Sequence, residues 1–469
     1  MGRFSRLACV IPAFFGILPG LSSGSTHFPE KVVQTVEQAI VANPEVRAAR
    51  QQMLQSLEQR EVERGRYYPQ VDLEGYAGYR WLEDHYRGLP SRDLDFDEQR
   101  VRLALVQNLY DGLGTTSAVA RTGHLADARR LDLLNTINNV ALETLRAHLD
   151  VLRYRKMVSL ARKNLDRHQN LWELISARVK KGVSNRVDLD LASARLELAR
   201  LNLNTERTNL YDVSARYNRI VGHAPSDELL PVHVDQADLP SGSTEGLSRA
   251  YRSNPGLLAA EERIKAAYYG VEEQKARMRP TLDLVGSVER SWGDEDRDGW
   301  EHDAGIGLLA RYNLFRGYAD QARRRSAAYA LEEARDQRTL ACRNLQQELL
   351  IAMDEVRNLE AQRMHIRKRV EHARRSRDNF YEQFRIGRRT LLDLLDQENE
   401  YYQARRTLVS VETDLEIARL RSLAATGELL GALGLRRVQP EGVENLREPE
   451  ELEMTACPPA PEYLLESRH

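Results

Sequence analysis

The sequence predicts a mainly α chain with a membrane β portion. It reads as a long antiparallel α-helical barrel plus four β-strands per chain, a sheet that several chains must close; three copies, a trimer, would give a twelve-stranded transmembrane barrel. Three observations predict this: the composition is that of packed helices, four stretches alternate apolar with polar residues, and the motif order of the first half recurs in the second.

Of the 469 residues only 7% are aromatic while 29% are charged, and Ala, Leu, Arg, Glu and Gln are abundant, which favours helices packed on helices. A formal net charge of -2 argues against a nucleic-acid protein, which needs a basic excess or face. At the N-terminus Arg3 and Arg6 precede the apolar run LACVIPAFFGILPGL, and Ser22, Ser23 and Gly24 offer a cleavage site, so residues 1–24 are expected to be a signal peptide. Cys9 lies inside that apolar run, with Arg6 where a lipobox would want Leu, so lipidation is not expected. Cys342 and Cys457 remain, one in a helical run and one in a Pro-rich tail, and no disulfide framework is expected.

The repeat follows from aligned motifs. VANPEVRAAR, YYPQVDLEGYAGYRW, LYDGLG and KKGVSNRVDLDL are answered in order by RSNPGLLAAE, MRPTLDLVGSVERSW, LFRGYA and RIGRRTLLDLL. Asn43 aligns with Asn254, Pro69 with Pro280 and Trp81 with Trp292, each 211 residues apart. Beyond that tryptophan the separation is 205: Tyr110 with Phe315, Gly182 with Gly387, Asp188 with Asp393 and Gly222 with Gly427. One six-residue length change, placed in a surface loop, accounts for both offsets. The chain divides into a first repeat (25–222), a linker (223–242), a second repeat (243–436) and a C-terminal tail (437–469) expected to be flexible.

Each repeat reads helix, strand, strand, helix, break, helix. Val71, Leu73, Gly75, Ala77, Tyr79 and Trp81 alternate with polar or small residues, as do Val101, Leu103 and Leu105, then Leu282, Leu284 and Val288, then Ala304, Ile306 and Leu308. A period of two marks a strand with one apolar face. The flanking runs are helical, and Leu189, Leu196, Leu203, Leu210 and Tyr217 recur every seven residues as a coiled-coil seam. The run from Thr115 to Lys181 would be roughly 100 Å long at ~1.5 Å per residue, and the runs 30–66 and 185–222 together match it. Four strands cannot close by themselves, and a sheet edge is intolerable in lipid, so several chains must contribute.

The paired NP motifs, the YYPQV and MRPTL strand starts, the LYDG and LFRG strand exits and the G-x-R-T-x-x-D-x-x-D pattern resemble the TolC family of outer-membrane exit ducts, from Val32 to Leu430. That resemblance implies a homotrimer in the outer membrane of a Gram-negative bacterium, extending as a tunnel into the periplasm and closed at its inner end. It implies tip turns at Gly182 and Gly387, and gate residues at Asp188, Phe384, Arg389, Asp393 and Asp396, with Arg389 to Asp188 pairs latching neighbouring helices. Phe384 stands where the family often has tyrosine. Asp393 and Asp396 would form carboxylate rings in a trimer; the alternative is a solvated first turn favoured by the helix dipole. Lys180, Lys181, Arg186, Arg385 and Arg388 surround the two turns and suit docking of a periplasmic adaptor.

Asp294, Asp296, Asp298 and Gly299 fit the opening of a calcium loop, but its twelfth position is Gly305 instead of glutamate. No G-x-S-x-G, Walker loop or Cys-His pairing is present, and the chain is read as a non-enzyme without cofactor or metal. The expected function is a passive duct of a tripartite export system, energised by an inner-membrane ABC transporter or proton-driven pump. Type I secretion of a large adhesin or RTX-type protein leads, drug or metal efflux is the alternative, and a periplasmic coiled-coil adaptor is the alternative of another class.

Overall fold

The computed structural model describes residues 28–84, 92–294, 297–435 and 457–460. The expected signal peptide, Asp296 of the acidic loop and most of the tail lie outside the described residues.

Each half has the same order of elements. The first comprises α1 (Glu30–Ala42), α2 (Pro44–Gly65), β1 (Gln70–Asp84), β2 (Arg92–Tyr110), α3 (Gly114–Lys180) and α4 (Arg186–Val221). The second comprises α5 (Ser243–Ser253), α6 (Pro255–Ala276), β3 (Thr281–Asp294), β4 (Arg297–Arg311), α7 (Ala319–Arg385) and α8 (Leu391–Thr426), followed by the short α9 (Leu429–Ala432). Lengths coincide: α3 and α7 have 67 residues each, α4 and α8 have 36, and α2 and α6 have 22. No described helix is long and apolar enough to cross a membrane.

The run expected as one helix over 30–66 is two helices. Pro44 lacks an N–H and its ring crowds a preceding turn, so a new helix starts there. Asn43 caps it by accepting from the Glu45 N–H at 2.8 Å, and Asn254 does the same for α6 from the Leu257 N–H at 3.1 Å. Helix α3 is the central strut, flanked by α2, α4 and α6 and touching α8. The largest core joins α1, α2, α3, α8 and α9 through Val36, Met53, Leu133, Leu145, Leu420 and Leu429. Along the coiled-coil seam Leu196, Leu203 and Tyr217 are buried on α4, and Leu394, Ala404, Leu415 and Ala418 on α8.

Two expectations about the cysteines and the tail are corrected. Cys342 and Cys457 form a disulfide, with Cα atoms 5.6 Å apart and a sequence separation of 115. Cys457 is buried beside Leu345, Leu349 and Tyr251, and the Pro458 carbonyl accepts from Gln346 Nε2 at 2.6 Å. The tail segment 457–460 is therefore docked on α5 and α7, where the sequence suggested a free extension. The pairing is non-local, so neither residue's neighbours in sequence announce it.

Candidate functional site

Two features sit at opposite ends of the long helices. At one end the strands form an antiparallel sheet of order β1-β2-β3-β4. One face exposes Val71, Leu73, Leu103, Val288, Ile306 and Leu308. The other face is charged: Arg102 lies opposite Glu74 on one side and Glu289 on the other, and Arg100 approaches Glu289 at 3.4 Å. Asp283, buried on that face, accepts from Asn108 at 2.8 Å and from Arg311 at 2.6 Å. Strand alternation separates the two chemistries, since successive side chains point to opposite faces. Aromatic residues mark both rims, Tyr68, Tyr110, Tyr312 and Phe315 next to the helices and Tyr79, Trp81, Trp292 and Trp300 at the far end. Strand β4 stops at Arg311, although Phe315 aligns with Tyr110 at the end of β2. Tyr110 pairs with Leu282 of β3, but β3 begins at Thr281, opposite Arg311, so Tyr312–Phe315 have no residue of β3 to pair with.

At the other end α3 passes to α4 and α7 to α8 through tight turns. Gly182 and Gly387 have φ of 72° and 79°, a left-handed conformation that glycine adopts without a Cβ penalty. The turns close alike: the Val183 N–H donates to Arg178 O, and the Arg388 N–H donates to Gln383 O, both at 2.9 Å. Beyond each turn the aspartate sits in the first turn of the next helix, capped by Asn185 in α4 and by Thr390 in α8. Thr390 and Asp393 form a reciprocal capping box with 3.2 Å contacts, and the Thr390 hydroxyl followed by its backbone N–H holds the Asp393 carboxyl below its ordinary range. Asp188 accepts from Ser184 Oγ at 2.8 Å, while its N–H donates to Asn185.

The structure does not bring Arg389 and Asp188 together within one chain. Arg389 donates to Gln383 at 3.0 Å and lies 4.4 Å from the Phe380 ring centroid. Asp396 instead meets Arg195 of α4 at 3.2 Å, joining the two helical hairpins. Phe384 fills the tip core with Leu171, Ile175, Ala192, Leu391 and Leu394, under the Arg178 guanidinium at 4.9 Å. Its ring is structural filling within this chain. Lys180, Lys181, Arg186, Arg385 and Arg388 are all exposed around the turns.

Sequence reasoning missed Arg195, and it missed Val183 and Ile386, which are 75% and 67% exposed between those basic residues. An apolar side chain next to a turn glycine, with lysines or arginines on both sides, was the available signal. Above the tip, Lys163, Arg167, Arg377, Arg405, Glu398 and Tyr402 line a cavity of 460 Å³ between α3, α7 and α8. His124, Asp127 and Glu262 bring ligand-type atoms within 4.8 Å of one another, but Lys265 already donates to Glu262 at 2.9 Å and His124 is bonded to it at 2.7 Å. That cluster is an ion-paired helix seam. Burial, and then the neighbouring Glu262 carboxylate, raise the Asp127 pKa.

The sequence profile of the outer membrane efflux protein family matches residues 35–223 and 246–428, the two halves in turn. The chain belongs to that family. It is 28% identical over 351 residues to the outer membrane efflux protein BepC of Brucella suis, spanning 74% of this chain and 76% of that one. It is 23% identical to the outer membrane protein TolC of Escherichia coli, over 90% of this chain and 86% of that one. The proteases secretion protein PrtF of Dickeya chrysanthemi is 27% identical over 39% of this chain and 41% of its own length. Among solved structures the fold matches CusC with a TM-score of 0.75 at 16% identity, covering 91% of this chain and 99% of that one. The resemblance to TolC-type channels therefore holds. The protein is an outer-membrane efflux channel that extends into the periplasm, and its relatives are transporters and not enzymes.

Proposed function

We propose that three copies join their sheets edge to edge into a twelve-stranded barrel, apolar outside and charged inside, continued by the helices as a passive periplasmic tunnel. The observation that carries this reading is the open sheet itself, since an edge in lipid leaves backbone groups without partners. The two helical hairpins would narrow toward the Gly182 and Gly387 turns. There Asp393 and Asp396 would repeat around the axis as acidic rings, and Asp188 and Arg389 would latch between neighbouring chains, because they do not meet within one. The basic rim of Lys180, Lys181, Arg186, Arg385 and Arg388, with Val183 and Ile386 between them, would seat a periplasmic adaptor linked to an inner-membrane ABC transporter or proton-driven pump.

Type I secretion of a large adhesin or RTX-type protein is the leading cargo, supported by the similarity to PrtF. Drug or metal efflux is the second reading, supported by the family description and by BepC. Mass measurement in detergent tests the assembly, and a monodisperse monomer would overturn it. In planar bilayers Asp188→Ala with Arg389→Ser should raise single-channel conductance, while Asp393→Asn with Asp396→Asn should reduce cation selectivity. Conductance and selectivity unchanged in every variant would return the four residues to the solvated-turn reading. Loss of a secreted protein from cells lacking this chain, with drug tolerance intact, would decide for secretion; the reverse pattern would decide for efflux.

A further inference from the structure

The apolar face of the sheet carries one row that breaks its chemistry. Register places Val101 opposite Arg290, and Arg290 opposite His302, with Gly75 opposite Val101. The adjoining row toward the helices is Leu73, Leu103, Val288 and Ala304; the adjoining row toward the far rim is Ala77, Gln99, Trp292 and Trp300. The Arg290 guanidinium lies 4.0 Å from the Trp300 ring centroid, and the two tryptophan rings are 5.3 Å apart. Arg290 and His302 are exposed, and a Cβ built on Gly75 would meet nothing within 4 Å, so the row opens as a notch on the β1 side.

Height decides what such a notch faces. From Leu282 to Arg290 the strand rises ~27 Å at ~3.4 Å per residue, or about 21 Å along the membrane normal for a strand tilted about 40°, close to the far edge of an apolar band about 25 Å tall. A cation is tolerated there and is costly at mid-bilayer. The helices leave from the opposite end of the sheet, so this rim is the cell-surface side of the outer membrane. Strand alternation puts Glu289, Glu301 and Asp303 on the other face.

We propose that Arg290, His302, Trp292 and Trp300 form a binding site for the phosphate headgroup of an anionic glycolipid in the outer leaflet. The inference rests on the barrel reading above, with this face toward lipid. The guanidinium fork matches two phosphate oxygens, and stacking on Trp300 fixes its plane. His302 adds a third donor from the next strand. The tryptophans hold the sugar and upper acyl chains, as amphipathic rings do at a membrane interface. Free phosphate would use only the polar half of the site.

The test titrates the detergent-solubilised, full-length protein with bisphosphorylated lipid A, its dephosphorylated form and inorganic phosphate, following tryptophan fluorescence, with trimer mass and conductance measured on the same sample. Saturable binding of the bisphosphorylated lipid is expected, weakened about tenfold or more by Arg290→Gln and by removal of the phosphates, and less by Arg290→Lys. Equal affinity of wild type and Arg290→Gln, indifference to the lipid phosphates, or saturation by inorganic phosphate at the same concentrations would each overturn the site. Those results in a conducting trimer sink the site alone; a monomer sinks the barrel reading first. Should Arg290→Gln fail to assemble, His302→Ala and Arg290→Lys carry the comparison.

Discussion

The two long helices α3 and α7 have the same length and the same relation to their strands and turns, yet they live in different surroundings. Helix α3 buries residues from Gly114 onward, whereas α7 has no buried residue before Cys342. One repeat thus supplies the strut that both halves pack against, and the other presents a bare upper flank, which the proposed trimer would cover. Where the repeats agree they encode scaffold: NP corners, glycine turns, strand faces. Where they differ they encode how the halves are fastened, and those differences can be tested one at a time.

The largest effect is expected at the helix ends. Gly222 and Gly427 both close an inner helix with positive φ, at 91° and 77°. A Cβ on Gly427 would lie 2.5 Å from the Ser253 carbonyl oxygen, whereas on Gly222 the nearest atom is Ala42 Cβ at 3.9 Å. The approach is close because Ser253 Oγ donates to Thr426 O at 2.6 Å and Asn254 Nδ2 to Ala425 O at 3.0 Å, docking the α5–α6 corner on α8. Gly222→Ala meets only the left-handed penalty of about 1–2 kcal/mol. Gly427→Ala adds overpacking against backbone, for a total of about 3–5 kcal/mol. Urea midpoints in detergent would compare them, and equal losses would mean that the corner yields.

Next comes the staple. Cys342 aligns with Ile137, a buried core residue of α3, so only the second repeat needs a covalent fastening at this level. Cys457→Ser should cost about 2–4 kcal/mol in unfolding free energy, by freeing a long loop in the unfolded chain. A reductant should reproduce that loss in wild type and leave the variant unchanged. If reduction leaves the wild-type midpoint where it was, the docked tail contributes no stability.

A third difference is acid sensitivity. His168 is buried on α3 with its Nδ1 unpartnered, and burial, aided by Arg195, lowers its pKa to about 4; the aligned residue is Ala373. An unfolded histidine titrates near 6.5, so between those values the unfolded chain binds the extra proton. Stability is therefore full above about pH 6.5 and falls as pH drops toward about 4, by up to about 3 kcal/mol. His168→Ala, which copies the second repeat, should flatten stability over that window. A slope unchanged in the variant would assign it to other groups.

These differences also mark how far the sequence could be read. Strands and turn glycines were legible because each is a local pattern with a fixed period or a fixed backbone need, whereas the corner at Asn43 and Pro44 was aligned as a motif but not read as a helix break. Leu73 and Ile306 show their face by alternation alone, and Gly182 and Gly387 break otherwise helical runs, with the family resemblance naming the breaks as tip turns. The disulfide, the burial of His168 and the Arg195–Asp396 contact depend on residues distant in sequence meeting across helices, which no window contains. Phe384 was read as a gate residue from its place in a motif, but its surroundings are the tip core. Asp393 retained both of its readings, because a capping box satisfies one carboxylate in each chain whether or not a ring forms around an axis.

The smallest net effect should come from making the repeats alike where a charge pair joins α4 to α8. Glu206 Oε1 accepts from Arg406 Nη2 at 2.5 Å, with side chains 3% and 36% exposed. The aligned residues are Val411 and Leu201, so each charge replaces an aliphatic side chain of the other repeat. Breaking the pair from the arginine side leaves the buried Glu206 carboxylate uncompensated, and Arg406→Leu alone should cost about 2–3 kcal/mol, discounted from the ~3–5 kcal/mol of a fully buried pair because Arg406 reaches solvent. Glu206→Val alone should cost less, since the stranded guanidinium can turn outward. The double variant Glu206→Val with Arg406→Leu removes both desolvation penalties and refills the seam with apolar volume, so its net change should lie within about 1 kcal/mol of wild type. A double-mutant cycle on urea midpoints gives the coupling directly. Additive losses in the double variant would show that the pair has no special partnership and that the two helices meet by packing alone. Recovery would show that the two charges are coupled and that the seam between α4 and α8 holds equally well when both are replaced by the aliphatic residues of the other repeat.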